Sequence, residues 1–445
     1  MSKKLIIIGA GLAGIEAAYQ ASKLGVEVDL YEMRPGKETE AHKTPYAGEL
    51  VCSNSLGSIE ITSASGLLKK ELEMLDSFFL KYAHKHRVPA GSSLSVDRLT
   101  LAEDITAAVK ELPHVNFISE EVKELPSTND DQIVIIATGP LTSGDFAQAI
   151  TQVTMRKNLF FYDATSPIVH ADSIDMSKVY KASRYDKGEA DFINLPLDEA
   201  LYTEFVKELL AAETVELKDF EKKLFFDACL PIEEIARRGE KSLAFGPLKP
   251  VGLVDPKTGV IPHAVVQLRQ DDQQNKFYQM VGFQTRLKWG EQKRIFRMLP
   301  GLENAEFERY GRMHRNSYIN APLIINKFYQ SKIMDHLFFS GQISGVEGYV
   351  ESIASGLSAG VNAARKLLGL PLYNFPDKTA IGSLVNYITQ ADWKDFRPTK
   401  FTFGLLPELA KEGRPRHFRK KKFKKEMKAK VAIEALEQWL KKADT

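Results

Sequence analysis

Three stretches of the chain are apolar without alternation, each of strand length, and each runs into a glycine turn. The first, Lys4 to Ile8 (KLIII), leads into GAGLAG, after which small residues at Ala13, Ala17 and Ala18 mark a helix. The second lies in DQIVIIATGP (131–140) and ends in Ala-Thr-Gly. The third opens HLFFSGQISGVEGYVESIASGLSAGVNAARKL (336–367), which continues as a glycine-rich turn and a long helix of small side chains. A further strand, VEVDLYE, ends at Glu32. Unbroken apolar strands are those buried on both faces, as in a parallel sheet covered by helices.

From about residue 160 to 320 the pattern changes to short strands and turns without regular βαβ spacing. HAVVQLRQDDQQNKFYQMVGFQ predicts a hairpin of two strands around Asp271–Asn275, and VDPKTG (254–259) a Pro/Gly turn. After about residue 376 the chain reads as helical, ending in IEALEQWLKKA, and no repeats are present. The pattern predicts an α/β protein with an inserted α+β substrate domain, and the Ala-Thr-Gly strand end and the glycine-rich turn before the long helix resemble the Rossmann-like FAD-binding domain of the two-dinucleotide-binding flavoproteins. The expected boundaries are 1–160 for the first part of the cofactor domain, 161–325 for the inserted domain, and 326–445 for the second part with C-terminal basic helices.

At 445 residues, more than one core is expected, and 44% hydrophobic with 27% charged residues is the composition of a soluble globular protein. The start MSKKLIIIGAGLAGIEAA looks like a signal peptide until Glu16 interrupts it, and no stretch approaches the roughly 18 apolar residues of a membrane helix. Only Cys52 and Cys229 are present, far apart and without a CxxC, which argues against a disulfide framework and a structural metal site. A cytoplasmic protein is expected. The net charge of +2 is unevenly spread: RPRHFRKKKFKKEMKAK (414–430) holds ten Lys/Arg and one acid. Such a block, interleaved with Phe418 and Phe423, reads either as a phosphate-binding patch or as a solubilising tail. Its candidate RNA contacts are Arg414, Arg416, Arg419, Lys420, Lys421, Lys422, Lys424 and Lys425.

The glycine turn carries the first chemistry. Gly9 permits a tight turn, Gly11 lets backbone approach a pyrophosphate, and Gly14 lets helix pack on strand; Ala10, Leu12 and Ala13 complete the loop. The helix N-terminus offers its free N–H groups to phosphates. Glu32 stands 18 residues after Gly14, where a carboxylate would accept from a ribose. Thr138, Gly139, Gly341 and Gly345 occupy the other strand ends and favour FAD. Gln342 stands where flavoproteins often carry Asp, so backbone N–H groups from Gly345 to Tyr349 are expected to do more of the work. No second GxGxxG follows a strand, so NADH or NADPH would dock only transiently. The run RYGRMHRNSYINAP (309–322) is either a specific polar site or a satisfied loop.

Cys229 follows an apolar run and precedes Pro231. A lone cysteine is more often core than nucleophile. A flavin frame and a basic block make a thiolate useful: addition to C6 of a uracil turns C5 into a carbon nucleophile. The motifs GAGLAG, YEMRP, ELVCSNSLG, RVPAGSSLSVDR, ATGPLTS, FFDACLPIEEIARRG, FGPLKPVGLVDP, VGFQTRLKW, RYGRMHRNSYINAP and SGVEGYVESIASG span essentially the whole chain. With them the sequence resembles the folate- and FAD-dependent tRNA (uracil-54-C5)-methyltransferase family (TrmFO), related to the GidA flavoproteins. The resemblance implies transfer of the methylene carbon of 5,10-methylenetetrahydrofolate to C5 of uridine 54 in the tRNA T-arm. Reduction to methyl would come from FAD, itself reduced by NADH or NADPH.

By motif, Cys229 matches the thiol that attacks C6, Cys52 the second functional cysteine near the flavin, and Tyr349 an aromatic that stacks on the isoalloxazine. No obligate protein partner is implied. Within the residues themselves, Arg237 and Arg238 would favour a Cys229 thiolate while Glu233 and Glu234 would oppose it. A helix starting at Pro231 would favour it through its dipole. The rival readings are the same chemistry on a ribosomal RNA uridine, or an FAD-dependent oxidoreductase of a small metabolite.

Overall fold

The computed structural model describes residues 3–39, 41–156, 159–186, 189–216, 230–409 and 421–443. The unbroken apolar strands assemble as expected into one parallel sheet, in the order Leu337–Phe339, Gln132–Ile136, Lys4–Ile8, Glu27–Glu32, Val115–Ser119. Lys4–Ile8 is central, paired with Gln132–Ile136 on one side and Glu27–Glu32 on the other, so the glycine turn after it falls at the middle of the sheet edge.

The first helix, Leu12–Lys23, and the long helix, Tyr349–Leu367, pack backbone against backbone. A Cβ added at Gly356 would sit 2.2 Å from the Ala13 carbonyl oxygen, and one at Gly360 would sit 2.5 Å from Ala17 Cα. The small residues read from the sequence are therefore there to permit contact. Glu16, which interrupts the apolar N-terminus, is fully buried. It accepts from Phe79 N at 3.0 Å, Phe78 N at 3.3 Å and the Ser77 hydroxyl at 2.9 Å, and so covers the start of helix Phe78–Lys85. Glu71 does the same for helix Ala380–Gln390, accepting from Ala380 N at 2.6 Å and Ile381 N at 3.0 Å. Burial pushes the Glu16 carboxyl upward and that of Glu71 to about 8.

A second sheet, of six antiparallel strands, follows the order Tyr180–Ala182, Phe192–Leu197, Ala264–Gln270, Phe277–Met280, Ile168–His170, Phe307–Arg309. The expected hairpin is its centre, with Leu268 opposite Met280. This sheet and helix Glu199–Ala211 enclose a separate core that includes Leu195, Phe205, Val266, Phe283 and Phe296. A ribbon of Leu159–Ala164 with Met313–Tyr318 forms a sheet of its own. Half of the polar run 309–322 is thus strand, at Arg309 and Met313–Tyr318. Among the described residues after 376 the helical expectation holds only for Ala380–Gln390 and Lys421–Ala443. From 391 to 409 the chain is irregular, because Pro398, Gly404 and Pro407 interrupt it. That segment anchors the last helix: buried Lys428 donates to the carbonyls of Phe403 and Leu406, both at 3.0 Å. Among the described residues no helix is long and apolar enough to cross a membrane.

The helix contact predicts a sharp response to one methyl group. Gly356→Ala should destabilise the protein by about 1–3 kcal/mol through overpacking, read as a lowered thermal midpoint. An unchanged midpoint would show that the two helices do not depend on this approach.

Candidate functional site

A cleft of about 1050 Å³, partly open to solvent, lies at the edge of the parallel sheet. Gly9 makes its floor with φ +104°; a Cβ there would stand 2.6 Å from the Ala137 carbonyl oxygen. Gly11, Leu12 and Ala13 bring the start of the first helix to the cleft, and no side chain among the described residues caps that helix. A Cβ on Gly11 would meet nothing within 4 Å. A Cβ on Gly14 would overlap the Gly9 carbonyl oxygen at 1.8 Å, so its role is packing behind the turn. Ala10 is buried, and its N–H donates to Glu32 Oε2 at 3.2 Å. Glu32, Thr138, Gly139, Gly341 and Tyr349 complete the walls. Gly345 lies outside the lining: its φ is +89°, and a Cβ there would strike the Phe396 ring at 2.5 Å. Its glycine is required by packing beneath the turn.

Sequence reasoning missed Arg34. This buried guanidinium donates to Glu32 Oε1 at 2.9 Å and Glu49 Oε2 at 3.1 Å, holding two carboxylates in the wall. The available signal was its place in YEMRP, two residues past the acid. His42 lines the same wall, and burial with the Arg34 charge lowers it to about 4, so its ring is neutral. An uncapped helix start, a turn closed to side chains and a buried acceptor fit the pyrophosphate and ribose of FAD.

A second cleft, of about 1340 Å³, shares Val51, Gln342, Tyr349 and Ser352 with the first. Cys52 lies on its wall. The Tyr349 hydroxyl accepts from Cys52 N at 2.9 Å and Ser53 N at 3.0 Å. From the antiparallel sheet, Gln279 donates to the Cys52 carbonyl at 3.0 Å, and Arg269 to Ser53 Oγ at 2.7 Å and Asn54 Oδ1 at 2.8 Å. Arg269 and Gln279 are cross-strand partners, so one position of the hairpin grips the cysteine loop. The other walls carry Asp163, His314, Asn316, Glu347, Glu351 and Lys400. Burial, then the charges of Arg309 and Arg312, lower His314 to about 4, leaving it neutral.

Cys229 lies outside the described residues. Just beyond it in the chain, Ile232 N donates at 2.7 Å to the carbonyl of Gln284, a residue of the second cleft. A short helix, Ile232–Ala236, follows Pro231 as expected. The balance read locally around the cysteine is altered by Arg286, which is bound to Glu234, while its backbone N–H donates to Glu233 at 2.8 Å. Arg237 is left 3.7 Å from Glu234.

Of the basic block, Arg414, Arg416, Arg419 and Lys420 also lie outside the described residues, and Lys421 opens the last helix. Lys422 is exposed. Lys424 pairs with Glu408 at 2.9 Å, and Lys425 sits 5.5 Å from the Phe403 ring centre.

Parallel sheet, glycine turn and two joined clefts define a dinucleotide-binding fold of the flavoprotein class. The family described as Glucose inhibited division protein A (GIDA) matches residues 4–371. GidA of Aquifex aeolicus superimposes with a TM-score of 0.67 at 17% identity, covering 99% of this chain and 77% of that one, and so shares the fold. The Enterococcus faecalis protein named methylenetetrahydrofolate--tRNA-(uracil-5-)-methyltransferase TrmFO is 52% identical, with 100% of both chains covered. Those so named from Bacillus velezensis (52%, 97% of both chains) and Listeria monocytogenes serotype 4b (54%, 95% of this chain and 96% of that one) agree. The chain belongs to the TrmFO family, within the wider GidA family.

The open space beside Gly11 separates binding from folding. Gly11→Ala should keep the thermal midpoint of the cofactor-free protein within about 1 kcal/mol of stability. It should also weaken FAD binding about tenfold or more, read by flavin fluorescence titration. Equal affinity in both proteins would place the pyrophosphate elsewhere.

Proposed function

We propose that this chain transfers the one-carbon unit of 5,10-methylenetetrahydrofolate to C5 of a uracil in tRNA, at position 54 of the T-arm. The observation that carries the reading is the junction at Cys52 and Tyr349, where a dinucleotide cleft opens into a second cleft walled by the cysteine loop, the Leu159–Ala164 and Met313–Tyr318 ribbon and the start of the long helix. Near-full-length identity to proteins named for that reaction supports it.

Uracil C5 becomes nucleophilic once a thiolate adds to C6. Cys229 is assigned that addition, because the chain after it is tied through Ile232 to the second cleft. Cys52 is assigned a place beside the reacting atoms, its backbone fixed by Tyr349 and Gln279. Reduced FAD held in the first cleft would supply the two electrons that take the carbon to methyl. Gly9, Ala10, Gly11, Leu12, Ala13, Gly14 and Glu32 would hold its phosphates and ribose, with Thr138, Gly139, Gly341 and Tyr349 along the remaining wall. NADH or NADPH would supply the electrons that reduce the flavin again.

A uracil inside a paired or stacked arm cannot reach such a cleft, so the base must leave its stack. The neutral His314 and Asn316 meet it with hydrogen-bonding groups rather than charge. Residues 161–325 then serve as the RNA-facing inserted domain of a cytoplasmic enzyme. The cations from Arg414 to Lys425 hold backbone phosphates, Lys422 more freely than the paired Lys424.

Mapping 5-methyluridine in tRNA and ribosomal RNA, from cells with and without the gene, tests the substrate. Loss at tRNA position 54 is expected, and loss confined to ribosomal RNA would refute the assignment. Cys229→Ala should abolish methylation in vitro while retaining FAD; methylation at the unmutated rate would remove the nucleophile.

A further inference from the structure

Gln342 departs from the aspartate common at its position, and the structure gives the departure a partner. Its side-chain amide donates to Glu347 Oε2. Gln342 belongs to both clefts, and Glu347 to the second. An aspartate at 342 would set a second carboxylate against the first, whereas the amide supplies a donor. The backbone of Glu347 is pinned as well, its N–H donating to the Thr399 carbonyl at 2.8 Å.

Glu347 is only 5% exposed, and charged groups from three elements act on it. Asp163 comes from strand Leu159–Ala164, Glu351 from the long helix and Lys400 from the irregular segment after residue 390. Glu351 is itself held by Phe401 N at 3.0 Å. Burial first, then Asp163 and Glu351, push the Glu347 carboxyl up to about 8, with Lys400 and the Gln342 hydrogen bond opposing. It is therefore a carboxylic acid at neutral pH, close to the optimum for a proton donor. On another wall of the same cleft stands His314, 7% exposed, whose Nδ1 has no hydrogen-bond partner among the described residues. A sheltered acid and a neutral imidazole on the walls of one cleft suit a polar ligand.

The donor proposed above is unreactive while its methylene bridges two nitrogens. We propose that Glu347 is the catalytic acid that opens it: the carboxyl proton passes to N10 of 5,10-methylenetetrahydrofolate as the N10–CH2 bond breaks. The bonding pair stays on N10, the methylene remains on N5 as an iminium ready for attack, and Glu347 becomes a carboxylate that regains its proton from water. Gln342 is the positioning residue: it engages Oε2 and leaves Oε1 to carry the proton. The inference rests on the folate reading of the second cleft.

The test uses the full-length, FAD-loaded chain, unmodified tRNA and donor carrying 14C in its methylene group, with single-turnover transfer followed from pH 6 to 10. Because the acid must be protonated, the unmutated rate should fall tenfold per unit above a midpoint near 8. Glu347→Gln should transfer carbon about 100-fold more slowly and lose that limb. Gln342→Met removes a hydrogen bond that lowers the acid's pKa, so its limb should move upward by about half a unit. Glu347→Gln within threefold of the unmutated rate would overturn the proposal. So would a raised KM for the donor with kcat and the limb unchanged, since Glu347 would then only grip the donor. Should Glu347→Gln fail to retain FAD, the Gln342→Met limb decides, and an unmoved midpoint counts against the proposal. No carbon transfer by the unmutated protein would instead remove the folate reading itself.

Discussion

The contact on which the rest depends is the direct approach of helix Leu12–Lys23 to helix Tyr349–Leu367. Ala13 and Ala17 on one face Gly356 and Gly360 on the other, with no room for an added Cβ. Close packing of this kind is rigid, because a single methylene group cannot be absorbed without moving backbone. It joins residues from the two ends of the chain and places two helix starts, at Gly11 and at Tyr349, around one cleft. The glycine turn and the Gly341 turn are then held at a fixed separation.

The antiparallel sheet is joined to this frame by specific bonds as well as by its connecting strands. Arg269 and Gln279 reach from the hairpin to the Ser53–Asn54 segment and the Cys52 carbonyl, while Tyr349 holds the backbone N–H groups of the same loop. The cysteine loop is therefore clamped between the antiparallel sheet and the start of the long helix. A movement of the antiparallel sheet would be felt at the cleft junction, where position matters most for chemistry.

Burial is used in two ways in this molecule. Glu16 and Glu71 give up solvent to close helix N-termini, so their hydrogen-bonding capacity is spent on structure. Glu347 and His314 are equally sheltered, but both line a cleft. A raised carboxyl pKa alone does not distinguish these cases. The direction in which each group faces does.

The residues around the dinucleotide turn were legible in the chain because their demands are local. An apolar strand, glycines where a Cβ would meet backbone, and an acid at the end of the next strand are short-range requirements written in consecutive residues. The hairpin was legible for the same reason. Gly345 was assigned to the cleft because it shares a turn with residues that do line it; its contact with Phe396 depends on a distant segment. Arg34 was visible in its motif, but its clasp on Glu49 was not. By itself the sequence determined the α/β frame, the glycine turn at the edge of its sheet and, through its long motifs, the family. Only the tertiary structure decided that Cys52, Asp163, His314 and Glu347 share one cleft and that Arg286 takes up Glu234. Those contacts join residues far apart in the chain, and pairing between strands and packing between helices set them, which no local pattern records.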